Sequence, residues 1–240
     1  MSETRSSGHG GTLYLVATPI GNLEDITARA LRILREVDLV AAEDTRHTRR
    51  LLEHFGIEAR LVSLFEHNER SRSGLLVEKL KGGSSVAIVT DAGSPGIADP
   101  GYPVVRAAVA EGLRVESVPG PSAVVAALQV SGLPTDAFVF VGFLPVKPGA
   151  RRRALEELHE RRETVVAFES PHRIERCLAD LEAVWGERPM ALVRELTKVH
   201  EQVLRGSARE VRAALREDQK RGELVLVLGG RTRAERAAGE

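Results

Sequence analysis

The feature that most limits what this chain can fold into is an alternation. Through the first 120 positions, short runs of strand-forming residues give way to stretches with helical spacing, and the connections carry glycine, proline and carboxylates. Leu13 to Ala17 is the first apolar run, ended by Pro19 and Gly21. Ile26, Ala30, Ile33, Leu34 and Val37 then recur at helical spacing, and Glu24 and Asp25 suit that helix's N-terminus. "VDLVAAED" is a strand running into acidic residues. Thr45 to Phe55 is a short helix stopped by Gly56, and "ARLVSLF" is another strand. "NERSRSGLLVEKLKGG" is a helix with a basic end and a double-glycine stop. "SSVAIVT" is a buried strand that leads directly into "DAGSPGIADPG". "YPVVRAAVAEG" is a helix, and "LRVESVPGPS" a strand ending in a Pro-Gly-Pro turn. Strand and helix in strict alternation predict a parallel sheet covered by helices. The functional edge of such a sheet lies beyond the strand C-termini, where these polar loops fall.

The second half keeps part of the alternation with different loops. "SAVVAALQVSG" is a helix with Ser122 as N-cap, "AFVFVGFLP" a strongly apolar strand, and "VKPGARRRALEELHERRE" basic and then helical. "TVVAFES", "PMALVREL" and "ELVLVLGG" are strands, "RIERCLADLEAVWG" is a helix, and "KVHEQVLRGSAREVRAALREDQKRG" is a short strand or loop feeding a helix. A boundary falls near Pro119 to Pro121. The expected division is a flexible segment 1–11, an α/β domain 12–120, a mixed α/β domain 121–230 and a flexible tail 231–240.

Composition narrows the function classes. The 34 basic and 34 acidic residues cancel, with 14 and 16 in residues 1–120 and 20 and 18 in 121–240. Any patch that recognises a polyanion must therefore be assembled by folding. Aromatic residues make up 4%, which argues against a broad stacking platform. The single cysteine, Cys177, excludes an intramolecular disulfide and a cysteine metal cluster, and suits a reducing, cytoplasmic compartment. His47, His54 and His67 lack zinc spacing, so no metal is expected. No stretch has the length of a membrane span, and "MSETRSSGHGG" lacks the apolar core of a signal peptide.

The densest chemical signal is the loop from Asp91 to Gly101. Its glycines let backbone approach a ligand, its prolines fix the loop in advance, and its amides and Asp91 offer polar contacts. Three readings stand side by side: a rigid surface turn, a cofactor loop, or a catalytic loop. "ATPIGN" and "VPGPSA" are two more such loops after strands, and none of the three matches a Walker loop or a dinucleotide fingerprint. "AEDTRHTRR" gathers Glu43, Asp44, Arg46, His47 and Arg49; "FEHNERSR" contributes His67; "FESPHRI" contributes His172 and Arg173; "RELTKVHEQV" contributes Glu195 and Lys198. Each is either a solvated, self-paired surface or a place where arginine forks meet phosphate and carboxylates take protons.

Taken together, "LYLVATPIGNLEDIT", "AEDTRHTRRLL", "VTDAGSPGIADPG", "SVPGPSA", "FESPHRI" and "RELTKVHE" resemble the ribosomal RNA small-subunit methyltransferase I group of the tetrapyrrole methylase superfamily, from about Thr12 to about Leu228. The resemblance implies a two-domain α/β fold, with an N-terminal parallel-sheet domain, a C-terminal mixed-sheet domain and a cofactor cleft between them. It implies S-adenosyl-L-methionine as cofactor, transfer of its methyl group to the 2′-hydroxyl of a cytidine in the decoding region of 16S ribosomal RNA, the small ribosomal subunit as partner, and a homodimer. On that model Pro19, Asp91, Gly93, Ser94, Gly96, Ile97, Pro121, Ser122 and Ala123 bind the cofactor. Arg46, Arg49, His67, His172, Arg173 and Lys198 face RNA, and Glu43, Asp44, His47 and Glu195 are unranked candidates for the proton acceptor. The superfamily also holds enzymes that methylate tetrapyrrole rings, so a small-molecule acceptor is the alternative, and an RNA-bound assembly protein without turnover is a third. Some members carry a further C-terminal segment, whose loss is expected to weaken RNA docking and leave the chemistry intact.

Overall fold

The computed structural model describes residues 10–231 and divides into two compact units at Ser122/Ala123. Residues 1–9 and 232–240, expected to be flexible, lie outside the described residues. Gly11 and Arg231, assigned above to those flexible ends, are held: the Gly11 amide donates to the Leu80 carbonyl at 2.7 Å, and the Arg231 guanidinium pairs with Glu160 at 2.8 Å.

The first unit is built on five parallel strands, β1 (Thr12–Val16), β2 (Leu39–Ala42), β3 (Leu61–Ser63), β4 (Val86–Val89) and β5 (Arg114–Val118), in the order β3-β2-β4-β1-β5. Four helices join them: α1 (Ala28–Glu36), α2 (Thr45–His54), α3 (Glu69–Lys81) and α4 (Tyr102–Ala110). Residues of α1 and α2, including Ala30, Ile33, Leu34 and Leu52, pack with one face of the sheet. Leu76 and Leu80 of α3 and Val104 and Ala108 of α4 pack with the other. With both faces covered, β2 and β4 are buried at every position, which is why they read as continuous apolar runs instead of alternating ones.

One helix start differs from the sequence reading. Glu24 and Asp25 sit in a separate 3-10 turn, Leu23–Asp25, capped by Asn22. The α-helix begins only at Ala28, because extended Thr27 breaks the run and its hydroxyl accepts from the Ala30 amide at 3.1 Å.

The second unit is a mixed sheet of β6 (Phe138–Phe143), β7 (Thr164–Glu169), β8 (Met190–Arg194), β9 (Gln202–Gly206) and β10 (Leu224–Leu228), ordered β6-β7-β10-β8-β9. Only β6 and β7 run parallel; every other pairing is antiparallel. Helices α6 (Pro148–His159), α7 (Ile174–Trp185) and α8 (Ala208–Ala214) cover one face with Leu155, Ile174, Leu178, Leu181, Trp185 and Val211. Helix α5 (Ala123–Ser131) lies against β8, β9 and β10. The buried Trp185 indole donates to the Gly229 carbonyl at 3.1 Å, so its one polar atom is satisfied.

Candidate functional site

In the first unit all five strands end on one edge, so the loops after β1, β2, β3, β4 and β5 are neighbours. The chain leaving β1 crosses to β2, while the chain leaving β4 crosses to β5, on the opposite face. Adjacent strands whose connections diverge in this way mark a topological switch point, where open α/β sheets bind ligands. Here the two loops are also laced together. Thr18 and Gly93 exchange backbone hydrogen bonds at 2.9 and 3.1 Å, and the buried Thr18 hydroxyl donates to the Thr90 carbonyl at 3.0 Å.

The β4–α4 loop is held by its own backbone. The Gly96 amide donates to the Pro100 carbonyl and the Ile97 amide to the Ser94 carbonyl. Gly101 has φ 139° and donates its amide to the Glu69 carboxylate at 3.0 Å; a Cβ there would crowd the Gly96 amide nitrogen at 3.3 Å. Ala98 takes a left-handed φ of 63° without being glycine, a conformation that persists only where surrounding structure enforces it. This is a preformed loop, with Ser94 half-buried and Ile97 exposed at its crest. Pro19 is buried beside the Thr18–Gly93 bridge, and Pro121 and Ser122 follow the end of β5 on the same edge. Ala123 opens α5 and the second unit.

The acidic residues meet at the ends of β2 and β4. The Asp44 amide donates to Asp91 at 3.2 Å, and the Asp91 amide donates to Glu43 at 3.3 Å, a reciprocal clasp between two loops. Burial raises the Glu43 carboxyl, and the charges of Asp91 and Asp44 add to that against the bond from the Asp91 amide. Burial, with Glu43 and Asp91 nearby, pushes Asp99 up to about 7. Asp99 is the residue sequence reasoning missed. It lies within the Asp91–Gly101 loop, but only the fold reveals that it faces two other carboxylates. A carboxyl raised by neighbouring carboxylates favours a cation beside it.

Asp44 behaves oppositely. Hydrogen bonds from the Arg46 side chain and amide hold it down at about 2, and it caps α2. As a proton acceptor near neutral pH it is poorly matched. Arg46 is tied to it at 3.0 Å, whereas Arg49 is exposed and has no carboxylate within ion-pair distance among the described residues. His47 is exposed on α2, and exposed His67 stands edge-on to Phe65.

In the second unit, the ends of β6, β7 and β8 and the starts of β9 and β10 share one edge, which brings "FESPHRI" and "RELTKVHE" together. The Glu169 side chain is 0% exposed and pairs with Arg173 at 2.5 Å; Arg173, 18% exposed, also donates to the Leu144 carbonyl at 3.2 Å. The Arg173 guanidinium turns inward and braces the loop after β6. His172 beside it stays exposed. Cys177 is buried against the same carboxylate, and burial followed by the Glu169 charge raises its thiol, which makes it inert.

Glu195 and Lys198 are likewise paired with each other. Glu195 accepts from the Glu223 amide at 2.9 Å and from Lys198 at 3.0 Å, and Lys198 also pairs with Glu223 at 3.3 Å. Burial works to raise the Glu195 carboxyl and is outweighed by these donors, so it is lowered; Lys198 is raised because its two carboxylates outweigh its burial. Both side chains lock a turn in which Glu195 and Thr197 have left-handed φ values of 50° and 63°. Gly222 must be glycine for the same turn: its φ is 78°, and a Cβ would lie 2.0 Å from the Glu195 carboxylate. Among the described residues no group of histidine, cysteine and carboxylate side chains has the geometry to hold a metal ion.

The comparisons with known proteins agree with this architecture. Residues 12–212 match the family model of tetrapyrrole (corrin/porphyrin) methylases. A ribosomal RNA small subunit methyltransferase I from Xylella fastidiosa is 51% identical over 92% of this chain and 82% of its own length. The protein of that name from Micromonospora olivasterospora is 53% identical over 92% of this chain and 71% of its own. The solved uroporphyrin-III-C-methyltransferase from Thermus thermophilus superposes with a TM-score of 0.63 at 24% identity, covering 95% of this chain and 97% of that one, a likeness of fold. A parallel-sheet unit followed by a mixed-sheet unit, and half-identity across nine-tenths of the chain, lead to one assignment: the chain belongs to the ribosomal RNA small subunit methyltransferase I family, within the tetrapyrrole methylases.

Proposed function

We propose that the protein is an S-adenosyl-L-methionine-dependent methyltransferase that modifies the 2′-hydroxyl of a cytidine in 16S ribosomal RNA within the small subunit. The observation that carries this reading is identity near 50% over about 92% of the chain with relatives of that name. The first unit's loop edge supports the cofactor. S-adenosylmethionine supplies an electrophilic methyl on a cationic sulfonium and carries an ammonium as well, and the Glu43, Asp91 and Asp99 carboxylates at a switch point offer the complementary charge. The Gly93–Ile97 loop is preformed, with the Gly93, Gly96 and Ile97 amides bonded within the fold, so it presents a fixed surface to the cofactor at no further ordering cost.

The chain's own task is to hold the ribose hydroxyl in line and to accept its proton. Of the four candidates, Glu43 suits the second task best. It stands at a strand end and burial raises its carboxyl above the ordinary value, while Asp44 and Glu195 are lowered. Glu43→Gln keeps the acceptor for the Asp91 amide and is expected to lower kcat by about 100-fold or more. An unchanged kcat would move the role to His47. A homodimer and a cytoplasmic location belong to the same proposal; the single, buried cysteine suits a reducing compartment.

The test is to incubate the protein with labelled methyl donor and small subunits from cells lacking the corresponding gene, then map the label. Label on one cytidine 2′-oxygen supports the reading. Label on none of the particle's nucleotides, with cofactor binding intact, overturns it in favour of a small-molecule acceptor.

A further inference from the structure

The chain as a whole is neutral, yet residues 137–155 contain Lys147, Arg151, Arg152 and Arg153 and not one carboxylate. The fold sorts these four cations. Arg151 turns into the protein and pairs with Asp180 at 2.6 Å, and Arg152 reaches Glu156 at 3.5 Å. Lys147 and Arg153 are exposed and have no carboxylate within ion-pair distance among the described residues. An aromatic residue begins the same stretch. Phe143 is 57% exposed, at the end of the edge strand β6, where a register shift against β7 and left-handed Gly142 (φ 68°) redirect the chain. One side of its ring is held edge-on by Phe168 at 5.6 Å, and the remainder faces solvent. Val146, 72% exposed, lies between Phe143 and Lys147.

This lip is rigid. Pro145 and Pro148 fix their own φ angles, and the Arg173 bond to the Leu144 carbonyl ties the residue next to Phe143 to the buried Glu169 pair. A buried ion pair is an expensive brace for a surface loop unless the loop's position matters. A fixed, exposed aromatic followed in the chain by two cations without ion-pair partners matches the chemistry of an unstacked nucleotide: a base against the ring, phosphates on the cations.

We infer that the lip from Phe143 to Arg153 docks single-stranded RNA of the small subunit, with Phe143 stacking on a nucleobase and Lys147 and Arg153 contacting phosphate. The inference rests on the proposed RNA substrate and adds a surface remote in sequence from the arginines of α2. Phe143 is a docking residue, so its removal acts on binding of the particle more than on the chemical step.

The experiment measures retention of purified small subunits by the full-length protein at several salt concentrations, alongside kcat and KM. Phe143→Ala is expected to weaken binding about tenfold, with the effect in KM more than in kcat, and Phe143→Trp to restore it to within about threefold. The Lys147→Ala, Arg153→Ala pair is expected to flatten the salt slope by roughly 0.7 for each phosphate that is no longer neutralised. If Phe143→Ala lowers the melting temperature, the paired cation variant and Phe143→Trp carry the test. Unchanged affinity and salt slope would overturn the inference. So would a Trp variant as weak as Ala, or a change in sedimentation that makes the lip an interface between two copies of the chain. Wild-type protein that binds the particle but transfers no methyl group overturns the methylation reading alone; normal methylation with unaffected variants overturns the docking lip alone.

Discussion

Two carboxylates on the same sheet edge have opposite tendencies, and the reason is local. Asp44 is a helix cap with an arginine folded over it; Asp99 is partly desolvated beside Glu43 and Asp91. The folded value of Asp99, about 7, lies above its ordinary value of 3.8. Its contribution to stability is therefore fully present below pH 3.8 and is lost as pH rises through 7. Asp99→Asn is expected to leave the melting temperature nearly unchanged at about pH 3, where the carboxyl is protonated in both states, and to raise it by about 2–4 °C at pH 8. Equal shifts at both pH values would show that Asp99 is not pressed by its neighbours. Asp91→Asn keeps an oxygen for the Asp44 amide but removes the charge, so cofactor affinity by calorimetry should fall about tenfold with the melt preserved, on the premise that one charge-assisted contact contributes about 1.4 kcal/mol. Unchanged affinity would assign Asp91 to the clasp alone.

At the scale of elements, strands and helices were legible because burial on both faces of the first sheet leaves unbroken apolar runs such as Val86–Val89. The break before α1 was not, because Glu24 and Asp25 look like a helix start and only the Thr27 cap shows otherwise. The loops were legible as a group, but the pairings inside them were not. Arg173 and Lys198 have the residue types of RNA contacts, but a carboxylate near each in sequence, Glu169 or Glu195, claims the charge once a strand end brings them together. Asp99 shows the converse, since its partners lie 56 and 8 positions away and only the fold assembles them. The turn after β8 offers a test at this scale. Gly222→Ala is expected to destabilise the protein by about 2–3 kcal/mol, from left-handed strain and the displaced Glu195 bonds. Combined with Glu195→Ala, the destabilisation should be less than additive in urea melts; full additivity would mean the two residues do not share one turn.

For the whole molecule, neutrality conceals a division of charge. Some surface arginines face a nearby carboxylate, as Arg209 and Arg212 do with Glu182, while others, Arg49, Arg50 and Arg153 among them, have none within ion-pair distance among the described residues. Binding to small subunits should accordingly weaken as salt rises, with a slope set by the number of phosphates that such unpaired cations neutralise. Metal chemistry has no donor set among the described residues, so cofactor affinity measured on the isolated protein should be the same with and without EDTA; a clear drop in chelator would reveal a required ion.

The mutual bonds between Thr18 and Gly93 have a consequence for how the first unit breathes. Two loops joined by a backbone bridge at a switch point cannot open separately: releasing either strips both amides and exposes the Thr18 hydroxyl together with the Thr90 carbonyl. The loop edge should therefore exchange its amide hydrogens as one cooperative block, with Thr18 and Gly93 sharing a single protection factor, and a bound ligand should slow them in step.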